Sequence, residues 1–151
     1  RGLDRAALAR RSLALGQGAE LEFESSTAWA PNSSADGLPL ALGPLAFGRL
    51  RWPGGARAVL RLRAEAPARP NAAGHLALAG FVPEGSAGWR VLGVAQQPAD
   101  PLTLRLDLQQ GEARFLLRRR CFSSGFDALR TEDQLTWAMR LRGVELEAAP
   151  G

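Results

Sequence analysis

From Glu20 onward, apolar and polar residues take turns along the chain. Leu21 and Phe23 alternate with Glu20, Glu22 and Glu24, Leu60 and Leu62 with Arg61 and Arg63, and Leu102, Leu104, Leu106 and Leu108 with Thr103, Arg105 and Asp107. A period of two sends successive side chains to opposite faces of an extended chain, so each run reads as a strand with one buried and one wet face. Between the runs lie turn-forming clusters: PNSSADG at 31–37, PGG at 53–55, PARPNAAG at 67–74, PEGSAG at 83–88 and QQG at 109–111. The pattern predicts strands near 20–24, 38–42, 45–52, 56–64, 75–82, 89–95, 102–108, 112–118 and 135–147. Short strands at this spacing, with no helical period between them, predict an all-β fold: an antiparallel two-sheet β-sandwich or jelly roll over residues 19–151, as one domain. QQG is expected to be the tip of a hairpin joining 102–108 to 112–118.

Two stretches need separate treatment. Residues 1–16, RGLDRAALARRSLALG, are rich in helix formers, with Asp4 early and Arg10 and Arg11 late, the charge order a helix dipole favours. A short N-terminal helix or linker is expected over 1–18, ended by Gly16 and Gly18. In DQLTWAMRLRGVELE, residues 133–147, Trp137, Met139 and Leu141 share one parity while Val144 and Leu146 share the other. One inserted residue produces that switch, and glycine is the residue a bulge tolerates best. A β-bulge at Gly143 is therefore expected, keeping all five apolar side chains on the core side.

A chain of 151 residues is long enough to bury a core without disulfides. Its single cysteine, Cys121, excludes an internal disulfide and a Cys-rich zinc site, and a small apolar filler is the simplest reading of that thiol. The net charge of +4 comes with a bias: all 19 basic residues are Arg, and Ile and Tyr are absent. That composition is expected of a GC-rich bacterial genome, a matter of codons before ligands, and no nucleic-acid partner is inferred from it. No run approaches the roughly 20 apolar residues of a membrane helix, so no membrane span is expected. No signal-peptide pattern opens the chain. It starts at Arg1 and not at Met, as expected where a preceding segment has been removed.

Catalytic chemistry finds few carriers. His75 is the only histidine, so a Ser-His-Asp or Cys-His arrangement would have to use it, yet GHLALAG reads as entry to a strand and no nucleophile-elbow sequence is present. Paired His or Cys spacings for metal are missing, leaving a loop calcium site at Asp100, Asp127, Glu132 or Asp133 as the remaining alternative. Glu20, Glu22 and Glu24 share a strand face, where a solvated surface competes with a pair of glycosidase carboxylates. GQG and PGG are turns without the lysine and helix of a phosphate loop. The expectation is a non-enzymatic domain with no catalytic residue, cofactor or metal.

Binding chemistry has better candidates. Arg118, Arg119 and Arg120, with Arg114 nearby, could meet a partner's anionic groups. In an extended strand their side chains alternate between faces, so the competing reading is a strand end followed by a solvated loop. Of the four tryptophans, Trp29 in SSTAWAPNSS and Trp89 in GSAGWR stand in polar surroundings, while Trp137 has core parity. Exposed indoles stack on the apolar C–H faces of sugars, and Asn32 and Arg90 beside them supply hydrogen bonds. Core packing is the alternative for each.

The tail resembles a known segment. Accessory β-sandwich domains attached to bacterial cell-surface polysaccharide glycosyltransferases often end in Asp-x-Arg-x-Leu-Gly-x-x-Leu-x-x-Val/Ile-x-Leu. Here DQLTWAMRLRGVEL supplies Asp133, Trp137, Ala138, Leu141, Val144 and Leu146 in register, with Leu135 in place of the Arg and Ala138 in place of the Gly. GARAVLRLRAEAP resembles the strand after their Gly-x-x-Ala turn, and PLTLRLDLQQGEARFLLRRRCFSSGFD their later hairpin and Phe-Ser-x-x-Phe-like loop, so that the resemblance spans residues 20–147. It implies a non-catalytic accessory module in bacterial envelope polysaccharide assembly, at the envelope or its cytoplasmic face, whose partners are carbohydrate, held weakly, or a larger envelope protein. The alternative is a structural or assembly subunit that binds another protein through a sheet edge or the Arg118–Arg120 corner.

Overall fold

The computed structural model describes residues 8–26, 38, 40–43, 45–65, 76–97, 99–120 and 139–149. They form strands β1 (Leu8–Gly16), β2 (Ala19–Ser26), β3 (Leu40–Leu42), β4 (Leu45–Arg51), β5 (Arg57–Glu65), β6 (Leu76–Glu84), β7 (Gly88–Gln97), β8 (Leu102–Asp107), β9 (Glu112–Arg120) and β10 (Met139–Ala148). A six-stranded sheet runs β1-β2-β4-β9-β6-β7 and a four-stranded sheet runs β3-β10-β5-β8, and every pairing is antiparallel. The alternating pattern has become a β-sandwich. No helix among the described residues is long and apolar enough to cross a membrane.

The core fills the space between the sheets. Leu21, Phe23, Ala46, Leu50, Leu78, Phe115 and Leu117 from the large sheet meet Leu40, Leu60, Leu62, Leu102, Leu104, Met139 and Leu141 from the small one. In one cross-strand row Phe23, Gly48 and Phe115 stand side by side. Because Gly48 has no side chain, the two rings close over it edge to face, with centroids 5.8 Å apart. Gly80 admits Leu102 and Leu104 of the facing sheet in the same way. On the sandwich's flank, β7 of the large sheet lies against β8 of the small one.

The first departure from expectation is at the N-terminus. Over the described residues the segment expected to be a helix or linker is strand β1, joined to β2 through Gly16, Gln17 and Gly18, all at positive φ. Helix propensity is a weak prior, and a lone helix with a thin apolar face would bury little. As an edge strand, the same residues satisfy their backbone bonds against β2 and bury Leu13 beside Leu21. The boundary drawn at residue 18 therefore dissolves, since β1 belongs to the large sheet.

The second is at QQG. The turn is tight, with the Gln109 N–H donating to Glu112 O at 2.8 Å, the reverse bond at 3.1 Å, and Gln110 and Gly111 at positive φ. Beyond that bridge the strands part: β8 pairs with β5 in the small sheet, and β9 runs between β4 and β6 in the large one. Leu102, Leu104 and Leu106 thus face Ala113, Phe115 and Leu117 across the core. The connection is an arch between sheets and not a hairpin within one.

The bulge is where the parity switch placed it. Leu141 pairs with Ala64 and Gly143 with Arg63, so Arg142 is the extra residue. Met139 and Leu141 before it are buried, and Val144 and Leu146 after it pack on the core, while Trp137 lies outside the described residues.

Candidate functional site

The face of the large sheet that turns away from the core carries the most distinctive side chains. Cross-strand register puts Glu24, Phe47, Leu116, Phe81 and Val91 in one row, with Leu45, Arg118, Ala79 and Val94 in the next and Glu22, Arg49 and Arg114 on the other flank. Strand β4 explains why: its small residues Ala46 and Gly48 face the core with Leu50, which leaves Leu45 and Phe47 on the outer parity with Arg49 and Arg51. Phe47 is 44% exposed and Trp89 41%, yet Leu116, facing outward on β9, is only 8% exposed. The Phe47 and Trp89 ring centroids lie 6.2 Å apart with planes tilted by 50°. Phe47 belongs to the third strand of the sheet and Trp89 to the sixth, so the two side chains lean toward each other over the strands between them.

Beside the rings is a cavity of about 310 Å³ lined by Arg10, Glu22, Glu24, Phe47, Arg49, Trp89 and Arg114, with the backbone row at Phe23, Gly48 and Phe115 as its floor. Its carboxylates are partnered: Arg10 Nε lies 3.7 Å from Glu24, and Arg49 Nε 3.9 Å from Glu22. Further along, Arg51 reaches Glu20 at 3.9 Å and Glu112 at 3.3 Å. The acids of β2 are therefore part of a solvated charge ladder. Apolar rings beside guanidinium donors and carboxylate acceptors suit a ligand with flat C–H faces and hydroxyl groups.

Among the residues singled out from sequence, Trp89 is on this face. Arg90, its neighbour, is not: adjacent strand residues point to opposite sides, and Arg90 instead approaches Glu84 at 3.8 Å and lines a second cavity with Arg105 and Asp107. Strand β9 continues through Arg120, so the three arginines are strand residues and not a solvated loop. Arg114 and Arg118 share the outer face, Arg119 pairs with the buried Leu78 on the opposite face, and Arg120 takes the register position beside Ala77. Trp29, Asn32, His75, Cys121, Asp127, Glu132 and Asp133 lie outside the described residues. Asp100 is exposed, and no group of metal-ligating side chains occurs among the described residues. Trp52 is half-buried, its Nε1–H donating to Gln17 O at 3.2 Å, which ties two turns at one end of the sandwich.

Phe47 is the site residue that the sequence pattern alone does not single out. Its signal is present in LAFGRLR, where the large apolar residues share parity with the arginines and the small ones do not. In comparison with known proteins, no protein-family model, no curated protein and no solved structure matches this chain.

Proposed function

We propose that this β-sandwich is a non-catalytic accessory module of bacterial envelope polysaccharide assembly that holds carbohydrate weakly on the outer face of its large sheet. One observation carries the binding half of the reading: the exposed rings of Trp89 and Phe47 stand 6.2 Å apart beside a cavity lined by Glu22, Glu24, Arg49 and Arg114. A sugar ring lying on the aromatic pair would place its hydroxyls against those donors and acceptors. The envelope setting rests on the resemblance of the closing segment. Titration with a panel of bacterial oligosaccharides, followed by tryptophan emission and calorimetry, tests the reading. A saturable change with Kd on the order of millimolar is expected, lost in Trp89→Ala and in Phe47→Ala. Silence across the panel would overturn it.

A second reading, an assembly subunit that binds protein, is favoured by a different part of the same face. Leu45, Val91 and Val94 are exposed aliphatic residues that a sugar does not require, and β7 is an edge strand of its sheet. Concentration-dependent oligomers that Val91→Glu abolishes would support it, and a monomer at all concentrations would count against self-assembly.

A further inference from the structure

Resting on the carbohydrate reading above, we infer that the glycan is acidic and that Arg114 and Arg118 are the residues that recognise its carboxylates. On the outer face of the large sheet, Arg10, Arg49 and Arg51 each have a glutamate within 4 Å. Arg114 and Arg118 share that face, both are exposed, and neither has a carboxylate partner among the described residues. They sit on either side of Leu116 on β9, a separation of four residues that sets their Cα atoms about 13 Å apart. Arg114 also lines the cavity that holds Phe47 and Trp89. A guanidinium presents a planar fork of donors that matches a carboxylate bidentately. Here two such forks, without a carboxylate partner among the described residues, share the face of a stacking platform.

The surroundings select the class of anion. A nucleic-acid strand carries a phosphate on every nucleotide and needs a continuous basic track. In this cavity Glu22 and Glu24, each beside an arginine, are interspersed with the basic residues, which interrupts such a track. A uronic-acid glycan has its carboxylates on separate sugars and hydroxyls between them, a spacing that two well-separated guanidiniums can meet. The same glutamates then accept from hydroxyls while Arg114 and Arg118 take the acid groups.

The test uses oligogalacturonate and the same oligosaccharide after chemical reduction of its carboxyl groups. The proteins are the unmodified chain, Arg114→Gln with Arg118→Gln, Trp89→Ala, and Arg61→Gln with Arg142→Gln as a charge-matched control on the small sheet. The acidic form should bind about tenfold or more tightly than the reduced form, as charge-assisted hydrogen bonds allow. That margin should vanish in the Arg114/Arg118 variant and persist in the control, while Trp89→Ala weakens both forms. Equal binding of the two forms, unaffected by Arg114→Gln and Arg118→Gln, overturns the acidic assignment and leaves the carbohydrate reading standing. An equal loss in the control also overturns it, since long-range charge would then suffice. Tighter retention of single-stranded DNA than of the uronate would overturn it in favour of nucleic acid. Failure to bind either form sinks this inference, and the wider glycan panel then decides whether the carbohydrate reading falls with it.

Discussion

The side-chain amide of Gln97 takes the place of a strand residue opposite Ala64: its Oε1 accepts the Ala64 N–H at 2.7 Å and its Nε2 donates to Asp100 O at 2.7 Å. The β5–β8 ladder ends at the Leu62–Leu102 pair, so Ala64 would otherwise present a buried donor with no strand to meet. Gln97 comes from β7 of the large sheet and is fully buried. One side chain therefore completes the small sheet's edge and fastens the two sheets together. Gln97→Ala should lower unfolding free energy by about 2–4 kcal/mol, from an orphaned buried N–H plus a cavity. Gln97→Glu should not restore it, because a carboxylate cannot donate to Asp100 O and would bury a charge. Urea unfolding of the three proteins decides; a loss under about 0.5 kcal/mol for Gln97→Ala would mean the clamp is incidental.

The glycines that let the sheets close should not be equivalent. At Gly48 a Cβ would overlap the ring of Phe115, which is itself locked edge to face with Phe23. At Gly80 it would meet the Cδ2 methyl of Leu104, the far end of a side chain that can rotate. Gly48→Ala should destabilise by about 1–3 kcal/mol, and Gly80→Ala by about 1 kcal/mol less. Combining Gly48→Ala with Phe115→Leu should show favourable coupling, since the smaller side chain relieves the clash. Additive losses in that double-mutant cycle would argue against the clash.

The arch between the sheets depends on two residues at positive φ, Gln110 and Gly111. Asn tolerates that conformation better than Gln, and Asn-Gly is the favoured pair for such a turn. Gln110→Asn should raise stability by roughly a few tenths of a kcal/mol. Gly111→Ala should lower it by about 1–2 kcal/mol, because its Cβ would also stand 3.2 Å from Pro53 Cα. Thermal melts of both variants check the pair, and a Gly111→Ala protein as stable as the parent would contradict the assignment.

The charge ladder on the outer face should contribute little to stability. Arg10 and Glu24 are 3.7 Å apart with largely exposed side chains. Arg10→Gln and Glu24→Gln should each shift unfolding free energy by less than about 0.5 kcal/mol, and less still in high salt. A loss above about 1 kcal/mol for either, on the scale of exposed ion pairs, would show that the ladder helps to hold the sheet together.

Much of this architecture is legible in the order of residues along the chain. The alternation at Leu102–Leu108 and Leu21–Phe23 predicts strands and their buried faces, and the parity switch at Arg142-Gly143 predicts a bulge that the register contains. The N-terminal segment reads as a helix because a run of Ala, Leu and Arg satisfies helix propensity, and its strand partner β2 becomes apparent only from the pairing. Half of the site is also visible, as Trp89 in a polar turn. Phe47 is not, and Arg114 and Arg118, visible only as members of an arginine cluster, are separated from Arg119 by the face that the neighbouring strands give them.

The chain's own covalent geometry dictates that alternate residues of an extended segment share a face, so the strands after β1, their core-facing parity and the bulge follow from local order. Partner choice does not. β8 and β9 are joined by a tight turn yet belong to different sheets, because burying two apolar faces against each other outweighs pairing them side by side. Only the tertiary arrangement brings Phe47 to Trp89 and sets Arg114 and Arg118 on the same outer face, since those relationships are set between strands far apart in the chain and not along any one of them.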